Sequence, residues 1–498
     1  MSGALESVAT VINGAFLAYF VALNVIYTVL LGCGWRAISA YVRRRPLIDY
    51  AAIARSELTT PMSVMVPAFD EEPLIVDSVR ALLDARYPNL EVVVINDGSR
   101  DGTLAALRDA FDLVEVERVP RARLDTAAVR AIYACPTDDR LVVIDKVNGG
   151  KADSINAGLC YARYPLFCTI DSDTIIDDDA FLRLVKPFQL HPDTVACGGV
   201  VRIVNGSRVE GSRVVDVRTP RTLLGNIQIV EYLRAFLAGR TGWSRLGALL
   251  IISGAFGVFR RDVVIAAGGY DPTTVGEDAE LVVRLHRYCR DQKRPYRIVF
   301  LADPVCWTQA PSSLRVLCRQ RDRWHRGLIE TLLRHRGMVG RRRYGVIGTF
   351  AMPYFIIFEA LGPLIEVIGY TVFGASLAAG VVEAEQAVML LLLSLTYGLF
   401  LSFGALLLEE HAFSRYRSRR CALRMIGAAV IENFGYRQLV SVVRAWSFVT
   451  LACGRSGWGD MRRGGFQPSS PATAPATAPL ASGPAGATVS ASAMHGES

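Results

Sequence analysis

The sequence predicts an α/β domain with a mostly parallel sheet, joined to apolar helices long enough to cross a membrane. Short apolar segments alternate with segments of helical periodicity between about residues 58 and 336. Acidic or polar loops follow several of these segments, at the sheet edge where parallel strands place ligands. Uninterrupted apolar stretches lie on both sides of this region. The predicted strands are 62–67, 91–95, 141–144 and 166–170.

The 498-residue chain is 51% hydrophobic and has a formal net charge of +8. Arginine supplies nearly all of the positive charge, because only four of the 55 basic residues are lysine. Arginine runs such as 43–45 and 341–343 lie beside apolar segments, which indicates cytoplasmic flanks. This distribution argues against a nucleic-acid partner, which would favour one basic face with interleaved aromatics. The ten cysteines include no CxxC pair, so neither a zinc site nor a disulfide framework is predicted.

The N-terminal apolar stretch, residues 8–34, contains no charged residue and is long enough for one transmembrane helix. The arginines at 43–45 follow it, so its C-terminal end is expected in the cytoplasm. The α/β domain, residues 58–336, is therefore predicted to be cytoplasmic.

The C-terminal part is predicted to return to the membrane. Residues 344–382 are too long for one straight span and contain Gly362 and Pro363, which predicts a broken interfacial or transmembrane helix. Residues 386–408 form a cleaner span. Residues 425–453 carry charged groups between basic flanks, which favours an interfacial or re-entrant helix. The tail at 467–498 has a composition typical of disorder. We expect a multi-pass protein of the cell's inner (plasma) membrane.

Two polar loops follow the first two predicted strands. Pro67, Ala68 and Glu71 belong to the first loop, and Asp97 lies in the Asn-Asp-Gly-Ser sequence of the second. A carboxylate at such a position accepts hydrogen bonds from a nucleobase N–H or from ribose hydroxyls. Asp-Gly-Ser is also an ordinary turn sequence, so the prediction depends on its place after a buried strand.

Three further residues suit a nucleotide diphosphate. Lys151, in Asn-Gly-Gly-Lys, does not have P-loop spacing. We expect it to contact a phosphate or a base, and a solvated loop lysine is the alternative. Asp171 and Asp173 flank one serine at the end of an apolar strand. Carboxylates there suit a hard cation such as Mg²⁺ or Mn²⁺, which would neutralise a departing diphosphate.

Glu277 and Asp278 begin a predicted helix at 278–290. One interpretation is that both are helix N-terminal acids, which the helix dipole favours. The other is that Asp278 is a general base that removes a proton from an acceptor hydroxyl.

A second cluster, Gln320, Arg323 and Trp324, has i, i+3, i+4 spacing and therefore shares one helical face. The planar guanidinium of Arg323 suits a diphosphate. The ring of Trp324 offers a flat apolar face for a sugar. The alternative is an interfacial anchor that holds a helix at the membrane surface.

In this order, the motifs resemble those of membrane-embedded, processive family 2 glycosyltransferases, which include cellulose, hyaluronan, chitin and poly-N-acetylglucosamine synthases. The resemblance covers roughly residues 60–340. It implies a GT-A domain with a Rossmann-like mixed sheet, a UDP-sugar donor, a Mg²⁺ or Mn²⁺ cofactor, and inversion to a β-linkage. One departure is Gly276, which precedes Glu277 where many members have threonine.

The resemblance also implies roles for the residues. Residues 253–257 stand where such enzymes line the acceptor path, which adds Phe256 to the predicted acceptor site. The family roles carry over to Asp97, Asp171, Asp173, Asp278, Gln320, Arg323 and Trp324. Together with the reasoning from the residues themselves, the predicted base is Asp278; the predicted donor-binding residues are Pro67, Ala68, Glu71, Asp97, Lys151, Asp171 and Arg323; the predicted acceptor-binding residues are Gln320, Trp324 and Phe256; the predicted metal ligands are Asp171 and Asp173.

Two enzymatic functions are compatible with these residues. One is processive extension and export of a polysaccharide, which the Gln-x-x-Arg-Trp pattern favours, and the other is addition of single sugars to a lipid or short acceptor. A transporter or scaffold that only binds nucleotide would be expected to lose Asp278 or the acidic pair, and both are present. Membrane lipid is an expected partner, and export would admit a secretion or accessory partner.

Overall fold

The computed structural model describes residues 2–172, 174–210, 213–380 and 382–454. Asp173 and the predicted tail at 467–498 lie outside these residues. The described strands are β1 (Met62–Ala68), β2 (Leu90–Asn96), β3 (Val114–Glu115), β4 (Val129–Ala134), β5 (Leu141–Lys146), β6 (Leu166–Ile170), β7 (Ile175–Ile176), β8 (Thr194–Ile203), β9 (Arg208–Glu210), β10 (Arg213–Asp216), β11 (Phe256–Arg260) and β12 (Arg297–Thr308).

Helices precede, alternate with and follow these strands. The α-helices are α1 (Ser2–Arg44), α2 (Tyr50–Arg55), α3 (Ile75–Leu83), α4 (Thr103–Phe111), α5 (Lys151–Tyr161), α6 (Ala180–Leu190), α7 (Leu223–Tyr232), α8 (Thr241–Arg245), α9 (Arg261–Ala266), α10 (Glu277–Asp291), α11 (Leu314–Arg334), α12 (Met352–Tyr354), α13 (Gly362–Ala378), α14 (Ala384–Ala412), α15 (Arg419–Ile431) and α16 (Arg437–Ala452). Wider π-helical turns occupy Leu233–Arg240, Ile347–Ala351 and Phe355–Ala360, and short 3₁₀ turns occupy Arg45–Leu47, Arg336–Met338 and Arg342–Tyr344.

Ten of the described strands form one mixed sheet in the order β3-β4-β5-β2-β1-β6-β11-β8-β12-β7. Strands β5, β2, β1 and β6 are parallel, and Met62 of β1 pairs with both Leu90 and Leu166. Strand β11 runs antiparallel between β6 and β8, so the sheet is mixed rather than mostly parallel. The carboxyl ends of the four parallel strands still share one edge, which gathers the predicted polar loops there.

The centre of the sheet is fully buried. All seven residues of β2 are buried, and Val64 and Val66 of β1 are inaccessible to solvent. Helices cover this part of the sheet, among them α3 and α5, which pack on β1 or β2. Strands covered on both faces have continuous apolar sequences, which is why these segments could be recognised.

Helix α1 is longer than the predicted span at 8–34, because it continues to Arg44. Its end lies just before Pro46, which has no backbone N–H to continue the helix. Beyond the apolar stretch, Trp35 stacks on His411 of α14, with ring centroids 5.4 Å apart. Helices α1 and α14 therefore remain paired past the predicted boundary.

Two described helices are long and apolar enough to cross a membrane, Thr10–Leu47 and Ala384–Ala412. The pair Ile347–Ala360 and Gly362–Ala378 meets at a 42° bend and makes a third if it forms one broken span. The bend lies at Leu361, where Pro363 begins a new helix, as expected for a proline in the first turn. By length and composition, these helices fit a membrane location.

The predicted interfacial segment at 425–453 is two helices with a break between them. Helix α15 ends at Ile431 and α16 begins at Arg437. In the intervening turn, Phe434 is extended and Gly435 has φ of 93°, a value that glycine adopts readily. Helix α16 packs against α11 and α13, so this segment joins the α/β domain to the bent helix pair.

A buried ion pair connects the sheet to α14. Arg202 of β8 donates from Nη2 to Glu409 Oε2 at 2.6 Å, and the two side chains are only 1% and 3% exposed. The guanidinium also lies over the rings of Trp307, Phe413 and Tyr416. Loss of either charged partner would leave the other buried without compensation.

We predict that Glu409→Gln destabilises the protein by about 3–5 kcal/mol, because the buried Arg202 loses its counter-charge. The matched control is Glu210→Gln, which breaks the pair Arg208–Glu210 on a half-exposed surface. That change should leave stability almost unaltered, since solvent screens exposed pairs. The measurement is the apparent melting temperature of the detergent-solubilised protein, and equal values for the two variants would contradict the prediction.

Candidate active site

The loops that follow β1 and β2 are tied together at the carboxyl edge of the sheet. Asp97 N donates to Ala68 O at 2.9 Å, and Arg100 N donates to Asp70 Oδ1 at 2.7 Å. Glu71 N donates to Thr103 Oγ1 at 2.9 Å. Three of the predicted donor-binding residues, Ala68, Glu71 and Asp97, therefore lie on adjoining loops, and Pro67 precedes them in β1.

The Asp97 carboxylate, predicted to contact a nucleotide, forms hydrogen bonds within the protein. Its Oδ1 accepts from Lys146 Nζ at 2.7 Å and Gly149 N at 2.9 Å. Its Oδ2 accepts from Gly150 N at 2.8 Å and Asn148 Nδ2 at 3.1 Å. The side chain is only 5% exposed. Because four donors already surround it, Asp97 holds the loop before α5 instead of presenting a free carboxylate.

The sequence analysis missed Lys146. This lysine is inaccessible to solvent and also contacts Asp153 Oδ1 at 2.6 Å. It lies between two carboxylates, Asp97 and Asp153, which compensates its buried charge. The available signal was the scarcity of lysine, because Lys146 and Lys151 are two of only four.

Lys151 begins α5 and connects three elements of the site. Its Nζ lies 2.6 Å from Asp171 Oδ1, 3.1 Å from Gly254 O and 3.6 Å from Glu277 Oε1. Burial alone would lower the pKa of Lys151, but the Asp171 and Glu277 carboxylates outweigh burial and raise it. Burial raises the pKa of Glu277, against the opposing effect of Lys151. Lys151 therefore remains a cation at neutral pH beside the predicted metal ligand Asp171.

Asp278 is oriented by backbone N–H groups. Its Oδ2 accepts from Gly254 N at 2.9 Å and its Oδ1 accepts from Ala279 N at 2.8 Å. The donor Gly254 belongs to the loop that precedes β11, so this loop and the start of α10 meet at the carboxylate. A carboxylate held in this way retains lone pairs for a proton.

The predicted acceptor cluster lies on α11, as its spacing required. Gln320, Arg323 and Trp324 all line the same cavity, and the Trp324 side chain is 43% exposed there. Trp324 lies 6.5 Å from the ring of Tyr232 in α7.

A close backbone approach sets the spacing between α10 and α11. A Cβ atom on Gly276 would lie 2.8 Å from Gly327 Cα, and a Cβ on Gly327 would lie 2.8 Å from Gly276 Cα. Contacts this short do not occur for real side chains, so neither position has room for one. This explains the glycine that precedes Glu277 in the base motif.

A cavity of about 1420 Å³ brings the two halves of the site together. It extends from the sheet edge to α1, α13 and α14. The predicted site residues that line it are Lys151, Asp171, Asp278, Gln320, Arg323 and Trp324. The predicted residues that lie outside its lining are Pro67, Ala68, Glu71, Asp97 and Phe256.

The prediction that Phe256 contacts the acceptor is wrong. Its side chain is fully buried and packs on Phe181, with ring centroids 5.6 Å apart. Phe256 opens strand β11, where successive side chains point to opposite faces, and its own side chain points into the core. The cavity is lined instead by the loop at 253–255.

Arg240 is a second cavity residue that the sequence analysis missed. Its guanidinium carbon lies 3.9 Å from the centroid of Phe236, and its buried Nη1 has no hydrogen-bond partner among the residues that the structure describes. Burial lowers the pKa of Arg240 to about 10, although the Asp278 carboxylate opposes this effect. No motif marks this arginine, because its position depends on the π-helical turn Leu233–Arg240.

Asp171 suits a divalent cation whose other ligands would come mainly from substrate phosphates and water. Among the described residues, no group of three or more acidic, histidine or cysteine side chains is placed to hold a metal. Mg²⁺ commonly uses one or two carboxylates and completes its shell with substrate phosphates and water. Asp171, at the end of β6 and partly exposed, meets that requirement.

Residues 60–327 match the family described as "Glycosyltransferase like family 2". The chain belongs to this family. The match and the mixed sheet together confirm the predicted GT-A fold class, and residues 60–327 form a family 2 glycosyltransferase domain.

The curated relatives of this family 2 glycosyltransferase include synthases named for a polysaccharide. Poly-beta-1,6-N-acetyl-D-glucosamine synthases of Staphylococcus epidermidis and Staphylococcus aureus are each 27% identical over 313 residues. The matched region is 62% of this chain and 65% of each relative, so the chain spans less than two thirds of their length.

Two solved structures also resemble the chain. A mannosyltransferase from Pyrobaculum calidifontis in complex with GDP-Man and Mn²⁺ has a TM-score of 0.46 and 19% identity, over 83% of this chain and 99% of that one. Glucosyl-3-phosphoglycerate synthase from Mycobacterium tuberculosis, in complex with Mn²⁺, UDP and phosphoglyceric acid, has a TM-score of 0.35 and 18% identity, over 60% and 83%.

We predict that Lys146→Met destabilises this glycosyltransferase by about 3–5 kcal/mol, because Asp97 and Asp153 would remain buried without their cation. The control is Lys293→Met, which removes an exposed lysine and should leave the apparent melting temperature unchanged. The measurement is thermal unfolding of both variants in one detergent. A Lys146→Met variant as stable as the control would show that the buried lysine does not hold this loop.

Proposed function

We propose that the protein transfers a sugar from a UDP-sugar to the end of a growing β-linked polysaccharide, inverts the anomeric centre, and passes the product into the membrane. The observation that carries this proposal is the continuous cavity, because it joins Asp278 and Asp171 to helices α1, α13 and α14. The names of the curated relatives make N-acetylglucosamine the first sugar to test.

In this proposal Asp278 is the general base. It takes the proton of the acceptor hydroxyl while that oxygen bonds to the anomeric carbon, and the bond from that carbon to the diphosphate breaks with its electron pair leaving on UDP. One base and one in-line displacement give inversion. The hydrogen bond from Gly254 N supports this role, because it fixes the carboxylate toward the cavity.

The donor diphosphate is proposed to bind at Lys151, Asp171 and Arg323. Lys151 from α5 and Arg323 from α11 both line the cavity and supply positive charge there. Asp171, with Asp173, would hold a Mg²⁺ or Mn²⁺ ion, which when bound would neutralise charge on the departing diphosphate. Pro67, Ala68, Glu71 and Asp97 would then shape the neighbouring nucleoside site.

The acceptor end is proposed to lie against Trp324 and Gln320, with the loop at 253–255 opposite. The partly exposed ring of Trp324 can cover the apolar face of a sugar, and Gln320 can exchange hydrogen bonds with its hydroxyls. This arrangement places the acceptor between the stacking ring and the proposed base.

The membrane side of the cavity has a lining suited to an uncharged chain. Two of its acidic side chains have partners: Glu359 accepts from Tyr27 and pairs with Arg444, and Glu366 accepts a hydrogen bond from Ser441. Aromatic side chains supply flat apolar surface along the path. They include Phe16, Tyr19, Phe20, Phe355, Phe358, Tyr370, Phe373, Phe434 and Tyr436.

We further propose that the α/β domain is cytoplasmic, because arginine runs flank the apolar helices on its side. UDP-sugars would reach the sheet edge from the cytoplasm, and the product would leave through the helices. Membrane lipid surrounds those helices in this arrangement.

We predict that Asp278→Asn lowers metal-dependent UDP release by about 10²–10⁴-fold, the usual contribution of a general base. The assay uses purified, detergent-solubilised protein with Mn²⁺ or Mg²⁺ and a panel of UDP-sugars, and products are sized on a gel. Asp262→Asn, an exposed carboxylate on α9, is the matched control and should retain wild-type release.

High-mass product with one donor, lost in the Asp278 variant, supports the processive synthase and names its sugar. UDP release with only short or lipid-soluble product would replace it with the single-addition enzyme. Wild-type release that survives Asp278→Asn would refute the assignment of the base.

A further inference from the structure

A buried arginine, Arg321, occupies the first unspecified position of the Gln-x-x-Arg-Trp pattern and lies beside the proposed stacking residue Trp324. Arg321 follows Gln320 on α11, and its side chain is only 4% exposed, whereas Trp324 opens into the cavity. The guanidinium carbon of Arg321 lies 4.4 Å from the centroid of the Trp324 ring. One cation therefore covers part of the ring on which the acceptor is proposed to stack.

Arg321 also contacts the other proposed acceptor residue and a second helix. Its Nη1 donates to Gln320 Oε1 at 3.2 Å, and its Nη2 donates to Glu231 Oε2 at 2.7 Å. Glu231 lies on α7, so the ion pair crosses from one helix to the other. The planar guanidinium thus fixes the tryptophan ring and the glutamine amide relative to α7.

Glu231 is fixed in turn by the turn between α15 and α16. Tyr436 donates from its hydroxyl to Glu231 Oε2 at 2.8 Å. This is the turn that contains Gly435 with φ of 93°. Both Glu231 and Tyr436 line the cavity. The contacts from Arg321 to Glu231 and from Glu231 to Tyr436 therefore link α11 to the turn between α15 and α16 along the cavity wall.

We propose that Arg321, anchored by Glu231, is a positioning residue that sets the orientation of Trp324 and Gln320 toward the acceptor sugar. This inference rests on the proposed function and deepens its acceptor site. Arg321 acts through its two neighbours, and its ion pair with Glu231 prevents the guanidinium from turning away from the ring. Acceptor binding should therefore depend on Arg321 much more than donor binding does.

A purely structural role of Arg321 predicts a different result. If Arg321 only held α11 against α7, its loss would reduce stability and affect donor and acceptor steps together. A positioning role separates the two Michaelis constants, because Arg321 contacts Gln320 and Trp324 directly, whereas two of the three proposed donor contacts, Lys151 and Asp171, lie on other elements.

The experiment compares Arg321→Gln, Arg321→Lys and Glu231→Gln in the detergent-solubilised full chain. The probe is a soluble β-1,6-linked N-acetylglucosamine oligosaccharide, titrated at saturating UDP-N-acetylglucosamine, and the donor is titrated separately. We expect Arg321→Gln to raise the KM for the oligosaccharide about tenfold, the effect of losing one charge-assisted hydrogen bond. The KM for the donor and UDP release without oligosaccharide should stay within about twofold.

Arg321→Lys should recover only part of the loss, because an ammonium keeps the charge but not the planar stacking group. The effect of the double variant Glu231→Gln, Arg321→Gln on the KM for the oligosaccharide should be smaller than the two single effects combined, since both changes remove the same ion pair. The control is Arg319→Gln, an exposed arginine on the same helix, which should behave as wild type.

An active wild-type protein whose Arg321→Gln variant keeps the oligosaccharide KM would overturn the positioning role and leave the proposed transfer intact. The positioning role would also be overturned if Arg321→Gln raised both Michaelis constants equally and lowered the melting temperature. Wild-type protein that releases no UDP with any donor would refute the proposed function itself, and the positioning role with it.

Discussion

The site depends on a close approach of two backbones. A Cβ atom on Gly276 or on Gly327 would lie 2.8 Å from the Cα atom of the other glycine, so the start of α10 and the middle of α11 approach more closely than any side chain would permit. Asp278 comes two residues after the first glycine, and Trp324 comes one helical turn before the second. The carboxylate and the ring therefore share one cavity although some 45 residues separate them in the chain.

The parts of this arrangement that follow from local sequence could be predicted. Strands β1, β2, β5 and β6 have continuous apolar sequences, and their polar loops lie at one edge because parallel strands end together. The face shared by Gln320, Arg323 and Trp324 followed from helical spacing. These features need only a pattern within a few residues.

Features that depend on distant partners could not be predicted. The four donors around Asp97 come from a loop some 50 residues later, so its carboxylate looked free in the sequence. Phe256 opens strand β11, and the neighbouring strands β6 and β8 determine which side chains of β11 point into the core, so the burial of Phe256 could not be derived from the local sequence. Helix α1 continues beyond its apolar stretch, where Trp35 stacks on His411 of α14. This contact is between residues far apart in the chain, so hydropathy alone did not indicate it.

The burial of Lys146 and Lys151 affects how the protein would react with amine-directed labelling reagents. The four lysines divide into two pairs: Lys146 and Lys151 are enclosed by carboxylates, whereas Lys186 is partly exposed and Lys293 is exposed. Burial and the nearby Arg44 lower the pKa of Lys186, which increases the fraction of its neutral, nucleophilic amine. An acylating reagent would therefore label the surface at very few side chains. A probe could therefore be attached at the two surface lysines, Lys186 and Lys293, with the lysines beside the cavity left unmodified.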